Sequence, residues 1–164
     1  MNVVALFGNG QSGKTTVLKL FLAAVLERYK GEVTVVETSS KNLSPSALRK
    51  EIDMFEAMKK RGEDCDFHDT YAVLDVGGRR IGITTEGDSE FALRTAMERF
   101  SDCDLCFCAA RSKGDTLALL RKVTKKGFLI QHRQHQVIGE GVKEIDRRRA
   151  HANLSMVQSL LEEL

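Results

Sequence analysis

Signals for a membrane, for export and for nucleic acid are all lacking in this sequence. The longest apolar run, Leu20 to Leu26, is closed off by Lys19 and Glu27 and is too short to cross a bilayer. Met1 is followed by Asn2 and then by the apolar residues Val3 to Phe7, with no basic region and no small-residue cleavage site, so no export leader is expected. Charge of neither sign prevails: the formal net charge is +2, which implies no broad attraction to nucleic acid or to an anionic surface. Internal repeats, low-complexity tracts and dividing linkers are missing as well. The four cysteines, in a chain without export signals, are expected to be reduced thiols, which places the protein in the cytoplasm.

What remains is the composition of a folded domain. Across 164 residues, 42% are apolar and 29% charged, enough for one well-buried domain over residues 1–164 and too little for two. Val3 to Phe7 is a short, wholly apolar run, as in a strand covered on both faces. Lys14 to Lys30 has helical length and is apolar nearly all round, which predicts a buried helix. Val33 to Glu37 is a second strand. Ser44 and Pro45, the only proline, start a helix that should stop at Gly62.

Further on, Tyr71 to Val76 and Arg79 to Thr85 flank Gly77-Gly78, the signature of a two-residue hairpin. A helix over 89–100, a strand over 105–110, a helix over 116–125 and a short strand over 128–131 follow. The helical spacing of Leu154, Val157, Leu160, Leu161 and Leu164 predicts a terminal helix over 143–164, packed on the rest. Alternating strands and helices predict an α/β fold, with a mostly parallel sheet of about five strands wrapped by helices on both faces and one antiparallel hairpin strand added.

The chemistry is concentrated in Gly8-Asn9-Gly10-Gln11-Ser12-Gly13-Lys14-Thr15, which satisfies G-x-x-x-x-G-K-[ST] between a strand and a helix. The glycines let successive backbone N–H groups turn inward onto phosphate oxygens, and the helix start adds the positive end of its dipole. Lys14 is expected on the β- and γ-phosphates, Thr15 as a ligand of Mg²⁺, and Thr16 beside them in the binding segment. Here the sequence resembles the P-loop NTPase superfamily; the motif is specific over residues 8–15, and the order of elements agrees along the whole chain. The resemblance implies a three-layer αβα nucleotide-binding fold, ATP or another nucleoside triphosphate with Mg²⁺, and an acidic residue at the carboxyl end of a neighbouring strand.

Three acidic candidates could serve the metal. Asp75 and the segment Thr84–Asp88 lie at opposite ends of the hairpin, about 20–30 Å apart, so only one can be near the phosphates. The strand that ends Thr84-Thr85-Glu86-Gly87-Asp88 opens into a loop and then a helix, which favours Glu86 and Asp88 as metal-shell or water-orienting groups, with Asp88 the expected metal ligand. A plain helix N-cap is the competing role for Asp88. Leu74-Asp75-Val76-Gly77-Gly78 looks instead like the D-x-x-G switch of GTPases. A guanine reader N-K-x-D should then follow a later strand, but Ser112-Lys113-Gly114-Asp115 has serine where asparagine belongs. Glu37-Thr38-Ser39-Ser40 ends the second strand and could hold a second substrate.

Arg111, in a polar loop after a strand, could stabilise charge on a transferred phosphoryl group. Arg94 is a weaker candidate for the same task. Arg147-Arg148-Arg149 is the one dense basic patch; acidic neighbours and the lack of aromatics there point to a solvated helix face, and nucleic acid is not an expected partner. Cys103-x-x-Cys106-x-Cys108, with Cys65-x-x-His68 or His132-x-x-His135, invites a zinc site, yet the cysteines lie in an apolar strand with poor ligand spacing.

The function expected from these features is cleavage or transfer of the γ-phosphate of ATP with Mg²⁺, with hydrolysis slightly ahead of phosphorylation of a small acceptor. Two alternatives belong to other classes. One is a GTP-binding switch; the other is an ATP-binding module that turns over slowly and recruits a protein partner or second copy through the hairpin or the terminal helix.

Overall fold

The computed structural model describes residues 1–10, 12–64 and 67–164; Gln11, Cys65 and Asp66 lie outside the described residues. The elements in chain order are β1 (Val3–Gly8), α1 (Lys14–Arg28), β2 (Val33–Thr38), α2 (Pro45–Lys60), β3 (Tyr71–Val76), β4 (Arg79–Thr84), α3 (Glu90–Arg99), β5 (Leu105–Arg111), α4 (Asp115–Val123), β6 (Leu129–Arg133) and α5 (Val142–Glu162). The strands form one six-stranded sheet in the order β2-β3-β4-β5-β1-β6.

β1 runs parallel to β5 and β6, and β4 runs parallel to β5. β3 is antiparallel to both β2 and β4, so it alone runs against the rest. The hairpin predicted at Gly77-Gly78 joins β3 to β4, with both glycines at positive φ (59° and 85°) as a two-residue turn requires. One edge of the sheet therefore collects the carboxyl ends of five strands, at Gly8, Thr38, Thr84, Arg111 and Arg133.

Every residue of β1 is buried because both of its faces are covered. Val4 and Leu6 face a cluster built from α1, α2 and α5, with Val17, Phe21, Leu48, Val157 and Leu160 among its members. Val3, Ala5 and Phe7 face the opposite cluster, in which Leu93 and Met97 come from α3, Phe100 from its C-cap and Leu120 from α4. The rings of Phe21 and Phe107 meet at 4.5 Å between centroids, tilted by 46°. Each such fully buried ring contributes about 1.5–3 kcal/mol relative to exposure.

Local signals set the helix starts. Ser44 Oγ accepts from Ala47 N at 3.2 Å with Pro45 at the first helical position, as the sequence predicts. Ser89 Oγ accepts from Ala92 N at 3.1 Å and starts α3.

Two features depart from the sequence expectations. β6 reaches Arg133, beyond the expected end at 131, because its polar residues Gln131 to Arg133 still pair with Ala5 to Phe7 of β1. α1 buries a charge within its apolar surround: Lys19 has no exposed surface, and its ammonium group lies 2.5 Å from Glu51 Oε1 of α2 and 4.3 Å from the Phe67 ring centroid.

Candidate functional site

β1 ends at Gly8, in register with Arg111 at the end of β5. Gly13, at φ 88°, delivers the chain into α1 at Lys14. Ser12 N donates to Asn9 O at 3.3 Å in the turn before it. Lys14 is 6% exposed, and its ammonium group bends back to donate to Asn9 O at 2.9 Å and Gly8 O at 3.2 Å. Burial lowers the Lys14 pKa from its usual value; the nearby Arg111 lowers it further and Asp88 partly restores it. Lys14, Asp88 and Arg111 thus lie within one another's electrostatic reach. Thr15 is half-buried and Thr16 buried at the start of the helix.

Neighbouring strands hold this turn in place. Ser112 Oγ donates to Asn9 Oδ1 at 3.0 Å, which ties the turn to the β5 exit. Gln134 N donates to Phe7 O at 2.6 Å, which continues the β6 pairing past the end of the strand. Gln134 O comes so close to Gly8 that a Cβ there would sit 2.7 Å from it, and 2.4 Å from Ser12 Oγ. The Ser12 hydroxyl is buried, with no hydrogen-bond partner among the described residues. It lines a polar cavity of about 50 Å³ bounded by Gly8, Asn9, Ser112 and the segment 133–136.

The β4 exit approaches from the other side. Thr84 and Thr85 are buried; Thr85 Oγ1 accepts from Thr70 N at 2.9 Å and donates to Asp69 Oδ1 at 2.8 Å. Glu86 N donates to Thr84 Oγ1 at 3.1 Å. Gly87 then presses on β5, where a Cβ would lie 2.1 Å from Ala109 O, so only glycine lets the loop run this close. Asp88 follows, with Oδ1 3.5 Å from Arg111 Nε. The N-cap role that competes for Asp88 belongs to Ser89.

Glu86 and Asp88, two residues apart in the chain, have different charged neighbours. Burial, and secondly the Asp69 carboxylate, raise the pKa of Glu86, while Arg99 opposes the shift. Around it lies a second polar group at the same edge of the sheet. Arg99 lies 3.8 Å from the Tyr71 ring centroid and 3.5 Å from Glu37 Oε1, and Tyr71 Oη donates to Glu37 at 2.9 Å. Glu37 of the Glu37–Ser40 segment therefore joins Glu86 rather than Lys14. Asp75 stands at the opposite edge, registered with Thr34 and Arg80 near the starts of β2 and β4, where it accepts from Gly78 N at 2.9 Å.

The remaining basic and acidic candidates have local partners. Asp115 is the first residue of α4, where its charge favours the helix dipole. Arg94 pairs with Glu90 one turn away. Arg148 pairs with Glu144, and Arg149 with Glu56 and Asp146. Cys106 and Cys108 are buried in β5; a hydrogen bond with Cys103 and then burial push the Cys106 thiol up, and burial pushes Cys108 up to about 12. Cys65 of the Cys65-x-x-His68 pair, like Gln11 of the turn, lies outside the described residues. Among the described residues no three His, Cys, Asp or Glu side chains converge on a metal position, and no helix is long and apolar enough to cross a membrane.

Sequence reasoning missed the segment Arg133–Gln136 as a wall of the site. A signal existed: the short apolar run Phe128–Ile130 passes into the polar run Gln131-His132-Arg133-Gln134-His135-Gln136, the pattern that singled out Thr84–Asp88. No protein-family model matches the chain, and neither the curated proteins nor the solved structures contain a significant match to it.

Proposed function

We propose that this protein is a P-loop NTPase that binds a nucleoside triphosphate with Mg²⁺ at Gly8–Thr15 and cleaves its γ-phosphate. The observation that carries this reading is the posture of Lys14: a buried ammonium group folded back over the turn that precedes a helix N-terminus, with Asp88 and Arg111 beside it. A cation held in this way is prepared for a polyanion, since its burial becomes favourable only once negative charge arrives. Backbone N–H groups at the start of α1, from Gly13 to Thr15, supply further donors.

Thr15 and Asp88 offer a hydroxyl and a carboxylate, hard oxygen donors of the kind that suit Mg²⁺. Asp88 fits this role because its contact to Arg111 is long and both side chains are more than half exposed, so the carboxylate can turn. Bound there, the metal supplies positive charge against the phosphate oxygens. Lys14 and Arg111 take up charge on the γ-phosphoryl group and the leaving diphosphate oxygen. In hydrolysis a water oxygen bonds to the γ-phosphorus, the bond to the bridging oxygen breaks, and the electron pair leaves with the diphosphate. Glu86, with its raised pKa, is suited to accept the proton from the water.

Transfer to a small hydroxyl-bearing acceptor is the second reading. It is supported by the Glu37–Tyr71–Arg99 group, which sits at the same edge as Glu86 and could orient such a molecule. A GTPase-type switch built on Asp75 is disfavoured by its place at the far edge of the sheet.

The decisive experiment measures Mg²⁺-dependent phosphate release from ATP, with and without candidate acceptors, for the native protein and Lys14→Ala. Release by the native protein and its loss in the variant are expected. Equal triphosphate affinity in the two proteins would remove the assignment.

A further inference from the structure

We propose that the groove between the β6 exit and α5 receives the base of the nucleotide, a placement that rests on the phosphate-binding role of Gly8–Thr15. The groove holds about 290 Å³ and lies between the segment 133–137 and residues 151–159 of α5. Its apolar lining comes from Val137, Ala152 and Met156, and its polar lining from Arg133, Gln136, Ser155 and Ser159. On α5 these fall at i, i+3, i+4 and i+7 from Ala152, one face of the helix. The imidazoles of His135 and His151 add planar surface. Apolar surface with a few polar groups at its border suits a flat heteroaromatic ring.

The route from the phosphates is short. The segment 133–136 that walls this groove also walls the smaller cavity beside Gly8, Asn9 and Ser12. Its residue Gln134 touches Gly8 with its carbonyl, and its side-chain amide donates to Asn153 Oδ1 of α5 at 3.4 Å. Gln134 therefore fixes the spacing between the turn and the groove. The buried, unpartnered Ser12 hydroxyl lines the cavity between them, and a ligand crossing there would provide the hydrogen bond it lacks.

Arg133 and Gln136 also line the groove, so a guanidinium and a carboxamide offer donors and an acceptor to the polar edge of a bound ring.

Calorimetric titration with Mg²⁺-ATP and Mg²⁺-tripolyphosphate tests the placement in the native protein and in Ala152→Phe, which fills the groove. The native protein should bind ATP more tightly than tripolyphosphate. Ala152→Phe should weaken ATP about tenfold or more and leave tripolyphosphate unchanged. A native protein that binds tripolyphosphate as tightly as ATP, or an Ala152→Phe variant that is folded by circular dichroism and keeps its ATP affinity, would overturn the placement while the phosphate site stands. A native protein that binds neither ATP nor tripolyphosphate would remove the phosphate site, and the base site with it.

Discussion

Asp88 Oδ1 faces Arg111 Nε across 3.5 Å, and both charges lie within electrostatic reach of the buried Lys14. The three side chains come from the exits of β4, β5 and β1; β1 is remote from the other two in sequence, and the exits meet because the three strands are parallel neighbours. If this triad serves the metal and the γ-phosphate, Asp88→Asn should lower Mg²⁺-dependent turnover about 10²- to 10³-fold. Asp75→Asn, at the far edge, should alter only the hairpin turn through its bond from Gly78 N. Parallel assays of phosphate release decide the matter, since an equal or larger loss in Asp75→Asn would transfer the metal role to it.

Gly87 should tolerate no side chain. An added Cβ would meet the Ala109 carbonyl oxygen at 2.1 Å, against the backbone of a buried strand that cannot yield cheaply. Gly87→Ala should cost about 1–3 kcal/mol, visible as a lower urea midpoint. It should also displace Asp88 and reduce turnover at denaturant-free conditions. An unchanged midpoint would mean that the β4–α3 loop does not rest on β5.

Much of this edge could be read from sequence because its signals are local. Gly8–Thr15 is a contiguous pattern, Gly77-Gly78 specifies a hairpin turn, and Ser44-Pro45 marks a helix start. The antiparallel placement of β3 followed from that hairpin and settled that Asp75 and Asp88 stand at opposite edges. Nonlocal features were not visible. The close approach of Gly87 to β5 depends on β4 lying beside β5, and the role of Gln134 depends on β6 lying beside β1. The burial of Lys19 depends on α2 covering α1. Each comes from which elements become neighbours, and side-chain periodicity within a single element does not carry that information.

The Lys19–Glu51 pair should respond unequally to removal of its two members. Lys19 is wholly buried and Glu51 is 40% exposed, so a glutamate left alone can be solvated and a lysine left alone cannot. Glu51→Ala should therefore cost about 3–5 kcal/mol, the penalty of an unpaired buried charge. Lys19→Met, which removes the charge and keeps the volume, should cost far less. Denaturant midpoints of the two variants test the asymmetry. Equal losses would mean that the ammonium group reaches water by another route.

Glu86 should cost the folded protein stability at neutral pH. Its pKa is raised, chiefly by burial and then by Asp69, so between the ordinary carboxylate pKa of 4.5 and the raised value the folded chain holds a proton that the unfolded chain has released. Stability must therefore fall as pH rises through that window, and the penalty is complete only above the folded pKa. Glu86→Gln removes the titration. The variant should melt higher than the native protein at pH 7, and the difference should vanish below the ordinary carboxylate range, where both chains carry a neutral group. If Glu86 accepts the proton in phosphate release, the same variant should lose turnover as it gains stability, because the burial that raises its pKa also makes it a base. Thermal melts at pH 7 and at acid pH, set beside turnover, separate the outcomes. A variant less stable than the native protein at neutral pH would mean that the carboxylate is held by favourable contacts and is not strained toward protonation.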